Sequence, residues 1–240
     1  MDTDTPSEVS AIYESAIKNL TEVIRVDPEI LQAYYSRGHA HTKMGNHQLA
    51  IDDFTQAIRT DPEDATSYYN RGRNHSEIGN HQLAIDDFTE AIRIDPEYTN
   101  AYYTRAWNHR RMDNHQLSID DLNEAIRLDP EYATAYYNRG NAHIRIGNLQ
   151  LAIDDFTQGI LIDPEYATAY TRRAVAHTLI GNHQLAIDDL TEAIRLDPGD
   201  ATSYYTRAWN HDRMNNHQLG ATDRAEAIRL NPSLAHLNNQ

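Results

Sequence analysis

Seven prolines set the architecture of this 240-residue chain. They fall at Pro28, Pro62, Pro96, Pro130, Pro164, Pro198 and Pro232, and every gap is 34 residues; only Pro6 lies outside the series. A fixed period of this size marks stacked copies of one supersecondary unit, not a single globular core. Six full units follow, at 31–64, 65–98, 99–132, 133–166, 167–200 and 201–234. Positions within each unit are numbered 1 to 34, so that proline stands at position 32.

The unit 133–166 shows the internal grammar. In ATAYYNRGNAHIRI, Tyr136, Gly140, His143 and Ile146 recur at three- and four-residue spacing, which predicts a helix. Gly147-Asn148 breaks it, with glycine placed for a left-handed cap. LQLAIDDFTQGILI predicts a second helix with Leu151, Ala152, Ile153, Phe156 and Ile160 as its apolar stripe. Asp163-Pro164 ends it, because the residue before proline avoids helical geometry. Where the cap glycine is missing, Asp113 and Asn215 replace it, and both residue types tolerate the left-handed region.

This pattern resembles the tetratricopeptide repeat family over essentially residues 31–234. The aromatic at position 4 (Tyr34, Tyr68, Tyr102, Tyr136, Tyr170, Tyr204) agrees with it. So do a small residue at 8, alanine in most units at 20 and 27, an aromatic or leucine at 24 in all but the last, and proline at 32. The resemblance implies an all-α fold: an α-solenoid of antiparallel helix pairs in a right-handed superhelix with a concave groove. Each pair buries its apolar faces only against its neighbours.

Flanking segments differ. Residues 1–7 are expected to be disordered. Residues 8–30 are expected to form a capping half repeat, with Ser7 as N-cap and Ile12, Tyr13, Ala16, Ile17, Leu20, Val23 and Ile24 as one apolar stripe. It acts as a lid on the first repeat or, alternatively, as a sticky end that pairs two chains. In the last unit Gly220, Ala221, Thr222 and Arg224 replace the usual residues, which makes the outer face polar, and AHLNNQ at 235–240 is a tail.

Two charged positions never change. Position 7 is arginine (Arg37, Arg71, Arg105, Arg139, Arg173, Arg207) and position 23 is aspartate (Asp53, Asp87, Asp121, Asp155, Asp189, Asp223). An ion pair between the two helices of each repeat is expected. Histidine recurs at position 11 in all units and at 17 in all but the fourth, where Leu149 stands. Leucine suits packing and not ligation, so the histidines read as packed rings and no metal or other cofactor is expected. Acidic pairs such as Asp52-Asp53 lack the loop spacing of a calcium site. No phosphate loop or nucleophile elbow is present, and the chain does not read as an enzyme.

Variation concentrates on the first helix, whose positions 2, 5, 6, 9, 12 and 13 line the groove in this family. On that basis the groove takes Tyr35, Tyr69, Tyr103, Tyr137 and Tyr205 at position 5, broken by Thr171. Position 6 supplies Asn70, Asn138 and Arg172, and position 9 supplies His39, Arg73, Trp107, Asn141 and Trp209. Position 12 supplies Arg110, and position 13 supplies Lys43, Arg111, Arg145 and Arg213. Seven of these are basic, although the chain carries a net charge of −15. The groove is therefore expected to take an acidic peptide or a free carboxylate. The terminal-carboxylate clamp of one family subclass matches at only Asn138 and Arg172; Tyr103, Trp107 and Thr168 occupy its other places.

The expected function is a protein-interaction scaffold with a protein or peptide ligand. End-to-end self-association is a second possibility. A single-stranded RNA-binding solenoid is a third, and net charge argues against it, against DNA and against anionic membranes. A consensus-like engineered chain is a fourth; divergence at positions 9, 12 and 13 argues against it. The polar N-terminus MDTDTPSEVS and the absence of a long apolar run give a cytoplasmic expectation.

Overall fold

The computed structural model describes residues 6–239. Residues 1–5 of the expected disordered N-terminus, and Gln240, lie outside the described residues. The described residues form thirteen α-helices and a terminal 3-10 helix. After α1 (Pro6–Val26), first helices are α2 (Leu31–Lys43), α4 (Ala65–Glu77), α6 (Thr99–Arg111), α8 (Ala133–Arg145), α10 (Ala167–Leu179) and α12 (Ala201–Arg213). Second helices are α3 (His47–Thr60), α5 (His81–Ile94), α7 (His115–Leu128), α9 (Leu149–Ile162), α11 (His183–Leu196) and α13 (His217–Leu230). The 3-10 helix runs from Pro232 to Asn239, so most of the expected tail is wound, not extended.

Local chemistry sets these limits. Gly147, just past α8, has φ of 82°, which costs a residue without a Cβ little. Its N–H donates to Ile144 O and that of Asn148 to His143 O, the two bonds of a Schellman cap. Asp113 and Asn215 take the same conformation at φ 59° and 62°. Asp163, after α9, is extended at φ −126° and ψ 92°, as its proline neighbour requires. Its carboxylate accepts the Glu165 N–H at 3.1 Å, which closes the turn into the next repeat.

The chain forms two compact units, Met1–Asp121 and Leu122–Gln240. Within the first, α1 packs on α2, α2 on α3, α3 on α4, α4 on α5 and α5 on α6, with α4 also touching α6. Within the second, α8 to α13 pack in the same consecutive order, and α10 touches both α8 and α12. Contact with the next element and with the adjacent first helix is the packing of a helical solenoid. Its core is a column of small residues and rings: Ala50, Phe54 and Ala57, then Ala84, Phe88 and Ala91, in one unit, and Ala152 and Phe156, then Ala186, Leu190 and Ala193, in the other.

Two details differ from the sequence expectation. Helix α1 begins at Pro6, so Ser7 lies in its first turn and not before it. Proline suits the first helical position because its missing N–H has no intrahelical partner there. Leu151 is 49% exposed and does not belong to the buried stripe of α9. Its equivalents Leu49, Leu83, Leu117, Leu185 and Leu219 are exposed alike. The rest of the expected stripe, Ala152, Ile153, Phe156 and Ile160, is buried.

Candidate functional site: the first-helix face

The first helices are held in place by one repeated constellation. In all six repeats the position-7 arginine donates two bonds to the position-23 aspartate. Nη2 to Oδ1 spans 2.5–2.8 Å. Nε to Oδ2 spans 2.7–3.0 Å. The expected intra-repeat ion pair is thus present in bidentate form, the geometry in which guanidinium and carboxylate match best.

The same arginine makes a third bond that single-repeat reasoning does not show. Its Nη1 donates to position 25 of the preceding second helix: Thr21, Thr55, Thr89, Asn123, Thr157 or Thr191, at 2.8–3.2 Å. Each guanidinium also lies over the position-4 tyrosine of its own helix, 5.4–5.8 Å from the ring centroid. One side chain therefore ties three helices. Because Thr21 on α1 accepts from Arg37 as Thr55 accepts from Arg71, α1 occupies the place of a second helix.

Position-11 histidines sit against this constellation. Nε2 of His143 lies 3.8 Å from Asp155 Oδ2, and His109 and His211 are placed likewise. All six have a buried Nδ1 with no hydrogen-bond partner among the described residues. Burial pushes His41, His75, His109, His143 and His177 below the usual histidine range; the neighbouring aspartate opposes this and the arginine adds to it. Among the described residues no group of three or more His, Asp or Glu side chains is arranged to hold a metal.

The sequence-predicted groove residues divide into two classes. Lys43, Arg73, Arg111, Arg145, Arg172 and Arg213 are exposed. Trp107 and Trp209 are 37% and 41% exposed. Each indole lies edge-on to a histidine from the preceding second helix, His81 at 5.7 Å and His183 at 5.6 Å. Each is covered by the arginine one turn on, Arg111 at 5.5 Å and Arg213 at 5.0 Å. The i, i+4 spacing puts ring and cation on the same helix face. His39 is pushed below its usual range by burial first, then by the positive charges of Arg73 and Lys43.

The second class is committed to packing. Tyr35, Tyr69 and Tyr137 are half-buried, with ring centroids 5.7–5.9 Å from Phe54, Phe88 and Phe156. Tyr103 and Tyr205 are half-buried as well. Asn70 is a correction to the expected groove. It is only 6% exposed, and its amide donates to Thr66 O at 2.8 Å and to Tyr35 Oη. Asn138 and Asn141 donate to Thr134 O and Tyr137 O at 2.9 Å, in the same backward i−4 manner. Nε of Arg110 is buried and has no hydrogen-bond partner among the described residues.

In repeats 1, 2 and 5, position 12 belongs to the joints between repeats. Thr42 Oγ1 donates to Asn74 Oδ1 at 3.1 Å, and His47 Nδ1 lies 2.9 Å from the same oxygen. Ser76, His81 and Asn108 repeat the arrangement, as do Thr178, His183 and Asn210. These asparagines are at most 1% exposed. A buried amide with its partners made is cheap; without them it costs about 1–3 kcal/mol. Sequence reasoning missed them, yet a signal existed: asparagine at position 10 occurs only after threonine or serine at 12 and histidine at 17 of the preceding repeat.

On α13, Arg224 Nη1 donates to Asp212 Oδ2 at 2.6 Å and His217 lies 3.4 Å from Oδ1. Arg224 holds the Asp212 carboxyl below its usual range; burial opposes this and His217 adds to it. Asp212, the position-12 residue of the last unit, thus has its charge paired.

The tetratricopeptide repeat profile matches residues 31–64, 65–98 and 133–166, and two further profiles described as TPR repeat and tetratricopeptide repeat match 113–147 and 156–201. The chain belongs to the tetratricopeptide repeat family. No curated sequence matches it. Among solved structures, the C-terminal part of a TPR repeat-containing protein from Cytophaga hutchinsonii is similar at a TM-score of 0.78 and 17% identity, over 92% of this chain and 91% of that one. YrrB, described as a TPR protein with an unusual peptide-binding site, gives 0.68 and 22%, over 77% and 95%. MamA from Desulfovibrio magneticus RS-1 gives 0.67 and 19%, over 70% and 96%. At these identities the likeness is one of fold.

Proposed function

We propose that the chain is a protein-interaction scaffold that binds an acidic or carboxylate-bearing peptide segment on its first-helix face. The Trp–Arg stacks carry this reading. Trp107 with Arg111, and Trp209 with Arg213, present a partly exposed ring beside an exposed cation, the residue types that dominate binding hot spots. Lys43 and Arg73 around His39, and Arg145 and Arg172 on the later repeats, extend the positive character in a chain of net charge −15. YrrB, similar in fold, is described as having a peptide-binding site. The contact set proposed here is narrower than the sequence suggests: Asn70 leaves it, and the tyrosines form its wall.

Trp107 and Trp209 are the only tryptophans, so intrinsic fluorescence reports on this face directly. Titrating synthetic acidic peptides with free and amidated C-termini, beside basic controls, tests the proposal. Acidic peptides should change the emission, bind more weakly as salt rises, and lose roughly tenfold or more in affinity when Arg111 and Arg213 are changed to glutamate. Equal binding of basic peptides, or no effect of the two substitutions, overturns it.

A further inference from the structure

One repeat breaks the aromatic pattern of the first-helix face, and a cavity lies there. In repeat 4 three rings meet: Tyr137 at position 5 lies 5.9 Å from Phe156 at position 24 and 5.1 Å from Tyr166 at position 34. Repeat 2 has the same cluster, Tyr69 with Phe88 at 5.7 Å and Tyr98 at 4.8 Å. Repeat 5 has none of the three; Thr171, Leu190 and Asp200 stand in their places. The space is a cavity of about 290 Å³ bounded by Tyr137, Thr171, Arg172, Val175, Asp197 and Asp200 among others.

Its walls are fixed before anything binds. Asp200 caps α12, accepting from Thr202 N at 3.0 Å, Ser203 N at 3.2 Å and Ser203 Oγ at 2.6 Å. Three bonds hold this carboxylate without exhausting its roughly four acceptor sites. Thr171 Oγ1 and Ser203 Oγ lie 2.8 Å apart, pinning the side that a tyrosine would otherwise fill. The volume falls just below the ~300–1,000 Å³ typical of ligand pockets, so it suits one large side chain and not a folded ligand.

We infer that this cavity is a specificity pocket for a tyrosine side chain of the bound segment. The ring supplies the aromatic layer that repeat 5 lacks, against Tyr137 and Val175. The phenol O–H donates to the Asp200 carboxylate. A tyrosine has an apolar body and one polar tip, which matches a cavity where Tyr137, Val175 and Ala193 offer apolar surface and Asp200 an acceptor. Arg172 and Asp197 also line the cavity with opposite charges, so the arginine probe below is the competing occupant. The inference deepens the peptide-binding reading and rests on it for the identity of the ligand as a peptide.

The test uses the full ¹⁵N-labelled chain titrated with N-acetyl-tyrosinamide, N-acetyl-phenylalaninamide and N-acetyl-argininamide. Saturable shifts are expected at the Thr171, Val175 and Thr202 amides, with the tyrosine probe tightest. Thr171→Tyr fills the pocket and should weaken the tyrosine probe roughly tenfold or more. Its fold has a precedent in repeat 1, where Tyr35 coexists with Asp64 at position 34. Val175→Trp fills the pocket from its other side, with Trp107 and Trp209 as precedents, and keeps the test decisive if the first variant folds poorly. Absence of saturable shifts, shifts undiminished in both variants, or tightest binding of the arginine probe overturns the inference. If acidic peptides bind but the tyrosine probe does not, the pocket falls and the groove stands. If the probe binds but acidic peptides do not, the pocket stands and the groove reading falls.

Discussion

Gly140 on α8 leaves the space that the Phe156 ring on α9 occupies: a Cβ at Gly140 would sit 2.8 Å from Phe156 Cε1. Gly38 and Gly72 stand in the same relation to Phe54 and Phe88, at 3.0 Å. In the three repeats with alanine at position 8, position 24 is leucine or arginine (Leu122, Leu190, Arg224). The helix pair thus has two interchangeable seams, glycine under a phenylalanine or alanine under a smaller or unbranched-stem side chain.

Gly140→Ala alone should destabilise the chain by about 1–3 kcal/mol, because the core is close-packed and the ring is fully buried. Adding Phe156→Leu should recover most of the loss, since Ala174 and Leu190 already make that seam. Urea unfolding of the single and double variants measures the coupling. A neutral Gly140→Ala would show that the ring has room to move.

Removing one partner of the inter-helix ion pair should be costly. Asp189 has a side chain only 9% exposed and holds Arg173 in two bonds. Asp189→Ala leaves that guanidinium half-buried and unpaired, with an expected loss of about 3–5 kcal/mol. A loss below 1 kcal/mol would mean that Arg173 finds another acceptor.

Stability should fall on acidification below about pH 6.5, the ordinary histidine pKa. Five position-11 histidines have folded pKa values lowered by burial. Between the unfolded and the folded pKa the unfolded chain binds more protons, so the stability present above the unfolded value is lost as pH drops through this window. Melting temperatures from pH 8 to pH 5 check the sign. Replacing His143 and His177 by tyrosine should flatten the slope. A melting temperature that rises toward pH 5 would contradict the assignment.

The joint asparagines make a separate prediction. Asn74→Ala removes partners from Thr42 and His47 and should cost about 1–3 kcal/mol. The triple change Thr42→Ile, His47→Leu, Asn74→Ala copies the residues at the joint after repeat 4, Ile144, Leu149 and Ala176, and should restore much of the stability. If the triple variant is no better than the single one, the joints are not interchangeable.

Trp107→Ala should cost little stability while removing the fluorescence response to acidic peptides contributed by the first unit. The indole is 37% exposed and rests on His81 without filling the core. A large drop in melting temperature would place Trp107 among the packing residues.

The sequence by itself determined the period, the helix pairs, the left-handed caps at Gly147, Asp113 and Asn215, and the Arg–Asp pair. Each depends on residues close in the chain or copied at a constant spacing of 16 within one repeat. What only the tertiary structure decided lies between repeats. It decided the third bond of each arginine to the preceding helix, the burial of Asn70, the joints of Thr42 with His47 and Asn74, the exposure of Leu151, and the cavity left by Thr171 and Asp200. The physical reason is that a repeat's own pattern fixes which face of a helix is apolar, but not which neighbour covers it. Whether a position on that face is wall, joint or open surface is set by how successive helix pairs pack on one another.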